Sequence, residues 1–268
     1  MTQEDRARMF EAMHLKMFVL PNAWDVASAR IFEEEKFPAV GTTSAGIAFS
    51  LGYRDGQRIP ASEMIAAVRR IVRALEVPVT ADIEAGYGDP VAIAQQAWEA
   101  GAVGINLEDI TGDEEATQIP LEQQVEVIHC IRRAVPHLVI NARTDVFLMG
   151  IEEEATRLKR AAERLRAYRQ AGAQCLYAPG VKDPRSIREL VAVLNAPLNV
   201  LAGPSFPALK DLRELGVKRV SLGSGPMRAC LGLVTRIARE LQNSGTYHAL
   251  TEGQYPYSEA NRLLERRV

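Results

Sequence analysis

Cysteine is scarce in this chain, and the three that occur, Cys130, Cys175 and Cys230, are scattered along it. Their odd number argues against a disulfide framework, and their spacing is not that of a metal site. We therefore expect buried, reduced thiols of a cytoplasmic protein. The four histidines also lack the spacing of zinc ligands.

A strong charge of either sign is missing as well. The net charge is −2 and the pI is about 6.2, so the chain has no electrostatic reason to bind nucleic acid or an anionic membrane. No apolar run is long enough to span a bilayer, and the N-terminus does not resemble a signal peptide. No Pro-, Gly- or Ser-rich linker divides the 268 residues, which predicts one domain over residues 1–268.

Short apolar runs alternate with helical patterns along most of the chain. The runs are Met17–Leu20, Ala39–Thr43, Val77–Asp82, Val103–Glu108, Leu138–Arg143, Gln174–Ala178, Leu198–Leu201 and Arg219–Leu222. The helical patterns that follow them are Asp25–Glu35, Ser62–Leu75, Pro90–Ala100, Leu121–Val135, Glu152–Ala171, Asp183–Leu194, Phe206–Leu215 and Pro226–Asn243. Continuous apolar strands with helical crossovers indicate a parallel sheet covered by helices.

Eight such units in about 250 residues predict a closed (β/α)₈ TIM barrel. A short helix precedes the barrel within residues 1–14, and a helical tail follows it at Ser258–Arg267. A doubly wound open sheet is the alternative, but it would need a Gly-rich turn after the first strand, where this chain has Pro21-Asn-Ala-Trp-Asp25.

The stretch Val77–Pro90 holds the clearest chemical signal. Asp82 and Glu84 end a buried strand, and at a spacing of two their side chains point the same way if the strand continues. Paired acids at a buried strand end require a positive partner, because unpaired buried charge is costly. The alternatives are a divalent metal ion and a solvated loop with incidental acids. Asp89-Pro90 fits an N-cap followed by the first residue of a helix.

Active sites of (β/α)₈ barrels lie at the carboxyl ends of the strands. Asp82 and Glu84 end the third strand, Glu108 the fourth and Arg143 the fifth, so the three carboxylates can converge on one ion beside Arg143. Oxygen ligands favour Mg²⁺ or Mn²⁺ over zinc.

Two residues before each of these strand ends is a polar residue. Thr80, Asn106 and Asn141 are expected to form one polar layer that orients the carboxylates, or else a polar core layer satisfied within itself. The glycines of Ser221–Gly225 resemble a phosphate-binding turn.

Several separated motifs resemble the isocitrate lyase and phosphoenolpyruvate mutase superfamily over essentially the whole chain. They are Pro21–Asp25, Thr43–Ala48, Ser50–Gly56, Asp82-Ile-Glu84 with Gly86 and Gly88, Asn106–Asp109 and Asn141–Asp145. The resemblance implies a Mg²⁺-dependent enzyme that makes or breaks a bond to C3 of a pyruvate-like unit.

The resemblance also implies roles for individual residues. Asp82 would hold the metal directly, and Asp55, Glu84 and Glu108 would hold its water molecules. Arg143 and the backbone N–H groups of the turn would grip the carboxylate and oxo oxygens of the substrate; the turn consists of Ser44, Ala45 and Gly46. Asp55, Glu108 and Arg143 are thus the candidate catalytic residues. The family also forms helix-swapped dimers that pair into tetramers, which implies a homo-oligomer.

The loop Ile110–Ile119 departs from the family. It is short and acidic and lacks the Lys-Arg-Cys-Gly-His gate motif of the isocitrate and methylisocitrate lyases. Retro-aldol cleavage needs an acid and a base near the leaving group, and phosphoryl transfer needs cations around the moving group. Decarboxylation needs fewer catalytic groups in this loop, because carbon dioxide leaves without a catalytic acid. The sequence therefore favours a lyase on a small 2-oxo or 2-hydroxy di- or tricarboxylate, with oxaloacetate the simplest example.

Four alternatives stay open. One is a methylisocitrate-type retro-aldol lyase that uses Asp113, Glu114 or Glu115 as gate acids, and another is an enzyme like the phosphonopyruvate hydrolases or mutases. A third is a Schiff-base aldolase, for which Lys182 is the best lysine. The fourth is a barrel that binds oxoacids without catalysis.

Overall fold

The computed structural model describes residues 1–112, 116–151 and 153–265. The three acids named as substitute gate residues, Asp113, Glu114 and Glu115, lie outside the described residues. Glu152 and residues 266–268, at the predicted ends of two helices, lie outside them as well.

The described residues form nine parallel strands in one sheet that is nearly a closed barrel. In chain order they are β1 (Phe18–Leu20), β2 (Asn22–Ala23), β3 (Val40–Thr42), β4 (Val79–Asp82), β5 (Gly104–Leu107), β6 (Val139–Arg143), β7 (Cys175–Tyr177), β8 (Leu198–Leu201) and β9 (Arg219–Ser221). The predicted (β/α)₈ barrel is confirmed, with its first strand divided in two. Pro21 separates β1, which pairs with β9, from β2, which pairs with β3. Proline has no N–H to donate, so the ladder breaks there.

Twelve helices lie in the described residues. They are α1 (Gln3–Met13), α2 (Val26–Glu34), α3 (Ser44–Ser50), α4 (Ala61–Ala74), α5 (Pro90–Glu99), α6 (Leu121–Ala134), α7 (Glu154–Gln170), α8 (Pro184–Leu194), α9 (Leu209–Glu214), α10 (Gly225–Ser244), α11 (His248–Thr251) and α12 (Tyr257–Leu264). None of these helices is both long and apolar enough to cross a lipid bilayer.

Asp89 caps α5 as predicted, since its side chain accepts a hydrogen bond from the Ala92 N–H and Pro90 is the first helical residue. The predicted turn Ser44–Gly46 is instead the first turn of α3. Thr43 caps that helix, and its hydroxyl accepts from the Gly46 N–H. A Thr at the N-cap position explains why a helix begins there.

Alternate strand residues point outward and inward, as the two-residue period of a strand requires. The outward set, which includes Ala81, Ile105 and Leu176, packs in one buried cluster with residues of the surrounding helices. The inward set is polar at mid-barrel: Asn106 Oδ1 accepts from Asn141 Nδ2 at 2.8 Å and from Arg219 Nη2 at 3.0 Å. A buried guanidinium therefore lies inside the barrel.

Of the three residues predicted to form one polar layer, only Asn106 and Asn141 lie at the same level of the barrel. Asp82 is the register partner of Asn106, and Asn106 is the partner of Asn141, whereas Thr80 lies opposite Gly104. Neighbouring strands of a closed barrel are staggered along its axis, so counting back two residues on each strand does not give residues at one level. The two asparagines bond to each other and to Arg219, and no hydrogen bond from this layer reaches a carboxylate among the described residues.

All three cysteines are free, but only Cys175 is buried. The prediction of buried thiols was wrong for Cys230, which is exposed on α10. It sits in a helix whose single buried residue is Met227. The same helix exposes large apolar side chains, namely Leu231, Leu233, Val234 and Leu241.

We expect α10 to be a subunit interface, because contiguous exposed apolar residues on a long helix are typical of association sites. Light scattering at micromolar concentration should give a dimer or a larger assembly. Val234→Lys should shift it toward the monomer, while Val193→Lys on α8, also exposed, should not. A 29.5 kDa species for the unaltered chain would contradict the prediction.

Candidate active site

A cavity of about 310 Å³ opens at the carboxyl ends of the strands. Strand ends or the loops after them supply its lining, and the charged members are Asp55, Asp82, Glu84, Glu108, Arg143 and Asp145. A larger groove of about 710 Å³ between α7 and α8 is lined by helix side chains such as Leu158, Arg166 and Val193. The cavity at the strand ends brings convergent polar groups into a concave site, and strand ends are where barrel enzymes place their chemistry.

Asp82 is held at the end of β4 by residues of the neighbouring strand end. Its backbone N–H donates to Thr42 Oγ1 at 2.9 Å, and its Oδ2 accepts from the N–H and hydroxyl of Ser44 at 3.1 and 3.0 Å. Its other oxygen, Oδ1, is buried without a hydrogen-bond partner in the described structure. A buried oxygen of this kind requires a partner such as a cation.

Glu84 does not continue the strand as predicted. β4 ends at Asp82, and Glu84 has a left-handed backbone with φ of 51°. Non-glycine residues in this region are strained, and they concentrate at functional sites. Its carboxylate is held from two sides, because Oε2 accepts from the Gln57 N–H at 2.7 Å and Oε1 accepts from the Tyr87 hydroxyl. Burial raises the pKa of Glu84 to about 7.

The turn after Glu84 depends on one glycine. Gly86 has φ of 93°, and a Cβ there would lie 2.3 Å from the Cα of Pro90. Only glycine meets both demands, so the chain can turn directly into α5.

Arg143 joins two carboxylates at the end of β6. Its Nη1 donates to Glu108 Oε1, while its Nε and Nη2 donate to Asp145 Oδ1 at 2.9 and 2.7 Å. These bonds use three of the five guanidinium N–H groups and leave two for a substrate carboxylate. Burial raises the pKa of Glu108 well above its usual value, even though the charge of Arg143 lowers it.

Asp109 is a fully buried carboxylate behind the cavity. Its Oδ2 accepts from Arg164 Nε at 2.7 Å and from the Tyr168 hydroxyl at 2.8 Å, and its Oδ1 accepts from the Asp145 N–H at 3.0 Å. Arg164 also donates to the Ile119 carbonyl at 2.6 Å. The buried Asp109–Arg164 ion pair therefore holds Asp145, which orients Arg143. It also holds Ile119, the last residue of the loop Ile110–Ile119, which we call the gate loop.

Most predicted site residues come together, with one exception. Ser44, Ala45, Asp55, Asp82, Glu84, Glu108 and Arg143 all line the cavity. Gly46 is not among the lining residues, and its N–H is engaged by Thr43. The Ser44 N–H donates to Asp82. Of the N–H groups of Ser44, Ala45 and Gly46, only that of Ala45 has no hydrogen bond within the described structure, as is usual in the first turn of a helix. Asp55 is exposed at the rim.

The turn Ser221–Gly225 and Lys182 are two further predicted features, and neither is placed to act as predicted. The N–H groups of Leu222 and Gly223 donate to Asn22 Oδ1 at 2.8 and 2.9 Å, so a side-chain oxygen already occupies the turn that resembled a phosphate site. Lys182 is exposed and does not line the cavity.

Sequence reasoning missed the residues that support Glu84. Tyr87 could have been noticed between Gly86 and Gly88, but Gln57 approaches from a distant loop that the sequence does not link to this turn. It also missed the apolar lining residues Leu148, Met149 and Leu201.

The donor set fits a divalent cation. Within the described residues, no three His, Cys, Asp or Glu side chains are grouped to hold an ion directly. The sharing of one ion by Asp82, Glu84 and Glu108 therefore stays a prediction. Asp82 offers an unpartnered buried oxygen, and the other carboxylates around the cavity are suited to bind water on a Mg²⁺ ion, which usually keeps several waters.

Comparison with known proteins places these residues in context. A sequence model of the family described as phosphoenolpyruvate phosphomutase matches residues 10–242. An uncharacterised protein of Mycobacterium tuberculosis is 37% identical over 227 residues, covering 84% of this chain and 85% of that protein. An oxaloacetate decarboxylase of Rhodopseudomonas palustris is 30% identical over 237 residues, covering 83% of this chain and 79% of the decarboxylase.

Solved structures share the fold. A Burkholderia cenocepacia protein described only as a lyase/mutase has a TM-score of 0.91 at 36% identity, covering 99% of this chain and 97% of that one. A phosphonopyruvate hydrolase in complex with oxalate and Mg²⁺ has a TM-score of 0.83 at 22% identity, covering 98% and 95%. At that identity the second likeness shows the fold alone.

We expect Mg²⁺ to bind more tightly as the pH rises from 6 to 8. The ion competes with a proton on Glu84, whose pKa is about 7, so the deprotonated fraction and hence the affinity should rise on the order of tenfold. Calorimetry in two buffers of different ionisation enthalpy should detect the released proton. Glu84→Gln should weaken binding and reduce the pH dependence. An affinity independent of pH in the unaltered chain would contradict the assignment.

Tyr168→Phe removes one donor from the buried Asp109 carboxylate and should lower the free energy of unfolding by about 1.5–3 kcal/mol. Urea denaturation measures this loss. Tyr257→Phe removes the same atom from a side chain that is 86% exposed and is the matched control. Equal stability of the two variants would show that the hydroxyl does not support Asp109.

Proposed function

Since the chain belongs to the phosphoenolpyruvate phosphomutase family, in the superfamily that its motifs resemble, we propose that it is a Mg²⁺-dependent carbon–carbon lyase. Its substrate would be a small 2-oxo or 2-hydroxy carboxylate, with oxaloacetate the simplest example. The superfamily is one of lyases and mutases, which supports the reaction class.

The observation that carries the proposal is the buried, unpartnered Oδ1 of Asp82 in a cavity lined by four further carboxylates. In its fully charged form such a set favours the binding of a cation, and its oxygen donors suit Mg²⁺, or Mn²⁺ in its place. A bound Mg²⁺ would supply a Lewis acid for the oxo or hydroxy oxygen of the substrate. The Mg²⁺ in the related hydrolase structure agrees with this choice of metal.

The chain's own residues bind and orient the substrate. Arg143 presents its two remaining N–H groups to a carboxylate, and Glu108 and Asp145 keep the guanidinium from rotating. Ser44 fixes the rotamer of Asp82 through two hydrogen bonds to the same oxygen, which leaves the other oxygen for the metal. Asp55 and Glu108, on opposite sides of Asp82 in the strand order, would hold the metal's water molecules together with Glu84.

The gate loop favours cleavage that needs little acid–base assistance. Its ends are closed by the Ile110–Gln118 bridge and by the Thr111 N–H, which donates to the Thr117 carbonyl at 2.8 Å. Among its described residues, Ile110, Thr111, Gly112 and Ala116 line the cavity. None of these four described side chains titrates in the range of a general acid or base. The lack of the gate motif's Lys, Cys and His in Ile110–Ile119 favours decarboxylation over retro-aldol cleavage.

A turnover screen tests the proposal, using oxaloacetate, methylisocitrate, isocitrate and phosphonopyruvate with Mg²⁺ and with EDTA. Because oxaloacetate decays without a catalyst, each rate is compared with a protein-free sample at the same Mg²⁺ concentration. We expect EDTA to abolish oxaloacetate turnover, Mg²⁺ or Mn²⁺ to restore it, and isocitrate to react poorly.

Asp82→Asn should lower this turnover about a hundredfold or more while the chain stays folded. Asp89→Asn, which weakens an exposed helix cap on the same loop, should not lower it. Full activity in EDTA together with borohydride trapping of substrate on Lys182 would instead identify a Schiff-base aldolase. Binding without turnover of any substrate would identify an oxoacid-binding barrel.

A further inference from the structure

The lining of the cavity consists of two kinds of residue. Besides the carboxylates and Arg143, it includes apolar side chains and one aromatic ring, which together we call the apolar wall: Ile110, Leu148, Met149, Leu201 and Tyr177. Leu148 and Met149 are 46% and 50% exposed at the mouth of the cavity. Large apolar side chains left in contact with water at a binding site indicate an apolar group on the ligand.

Part of the apolar wall is linked by a backbone hydrogen bond to the residue that orients Arg143. The Met149 N–H donates to the carbonyl of Asp145, the residue that orients Arg143, at 2.9 Å. Gly180 packs on the same segment, where a Cβ would lie 2.8 Å from the backbone nitrogen of Leu148, and its φ is 87°. A Cβ on Gly223 would lie 3.0 Å from Leu201 Cδ1, so the lack of a side chain at Gly223 leaves room for Leu201. Leu148 is therefore held by tight backbone contacts, and Leu201 occupies space that a larger residue at position 223 would restrict.

Cations are nearly absent from the lining. Arg143 is the single Lys, Arg or His among the described residues that line the cavity, against five carboxylates. The gate loop cannot add one, because Ile110–Ile119 contains no Lys, Arg or His anywhere in its sequence. A substrate carboxylate beyond those served by the metal and Arg143 would be desolvated without a counter-charge, which is unfavourable. The cavity therefore discriminates against tricarboxylates.

We propose that the substrate carries a small alkyl group on C3, and that Leu148, Met149 and Leu201 are the residues that select it. The inference rests on the proposed function, because a 2-oxo or 2-hydroxy acid held through the metal and Arg143 would have its C3 substituent in the same cavity as these apolar side chains. A cavity of about 310 Å³ favours a small acid, so the substituents tested are short.

Binding of simple 2-oxoacids tests the wall without turnover. The Mg²⁺-loaded protein is titrated by calorimetry with pyruvate, 2-oxobutanoate and 3-methyl-2-oxobutanoate. Each added carbon should tighten the dissociation constant about threefold to fivefold, as burial of one methylene group predicts. Leu148→Asn and Leu201→Asn should flatten this gradient. Leu209→Asn on α9, where the leucine is also 46% exposed but outside the cavity, should preserve it.

Turnover separates the inference from the proposed function. The unaltered enzyme should show a higher kcat/KM for 3-methyloxaloacetate than for oxaloacetate, and Leu148→Asn should remove the preference. Mg²⁺-dependent turnover of oxaloacetate without an alkyl gradient in either assay would uphold the function and overturn the inference. Failure of pyruvate to bind and of both oxaloacetates to react, with Mg²⁺ present, would overturn both.

Discussion

The site depends on the hydrogen bonds that one guanidinium group, that of Arg143, donates to two carboxylates, those of Glu108 and Asp145. The cavity around them is lined by five carboxylates in all. Glu108 and Asp145 take three of its N–H groups, and Asp82 Oδ1 has no hydrogen-bond donor within the described structure. Negative charge therefore exceeds positive charge among these groups. Burial raises the pKa of Glu84 and of Glu108, and the neighbouring carboxylates raise it further. Such an arrangement is stable in its charged form only when a cation binds.

The surrounding protein reduces the excess of negative charge in the cavity but does not remove it. Asp109 adds no net charge to the cavity, because Arg164 and Tyr168 compensate it from α7. Arg219 lies inside the barrel, fully buried, and its charge interacts favourably with Asp82 from below. The guanidinium groups of Arg164 and Arg219 thus lie behind and beneath the cavity, and Arg143 is the single cation among the described residues that line it, beside five carboxylates. The cavity therefore keeps an excess of negative charge that attracts a cation.

Sequence reasoning predicted the barrel because strands buried on both faces are continuous apolar runs, and these runs recur between helical patterns. It also predicted Asp82, Glu108 and Arg143, since strand position alone brings them to one edge. It failed where three-dimensional closure decides the outcome. The stagger that separates Thr80 from Asn106, the helix that begins at Ser44 and the approach of Gln57 to Glu84 depend on contacts between segments far apart in sequence.

The division between strands and loops separates the parts of this site that the sheet fixes from the parts that a change of loop sequence can alter. Asp82, Glu108 and Arg143 are at or next to strand ends, where the sheet fixes backbone positions. Leu148 and Met149 lie on a loop held by the carbonyl of Asp145 and by Gly180, and the gate loop is anchored by Arg164 at Ile119. A change of loop sequence can therefore alter the lining of the cavity without moving the carboxylates and Arg143 at the strand ends. The absence of Lys, Arg and His from Ile110–Ile119 is compatible with strand-end residues that stay in place.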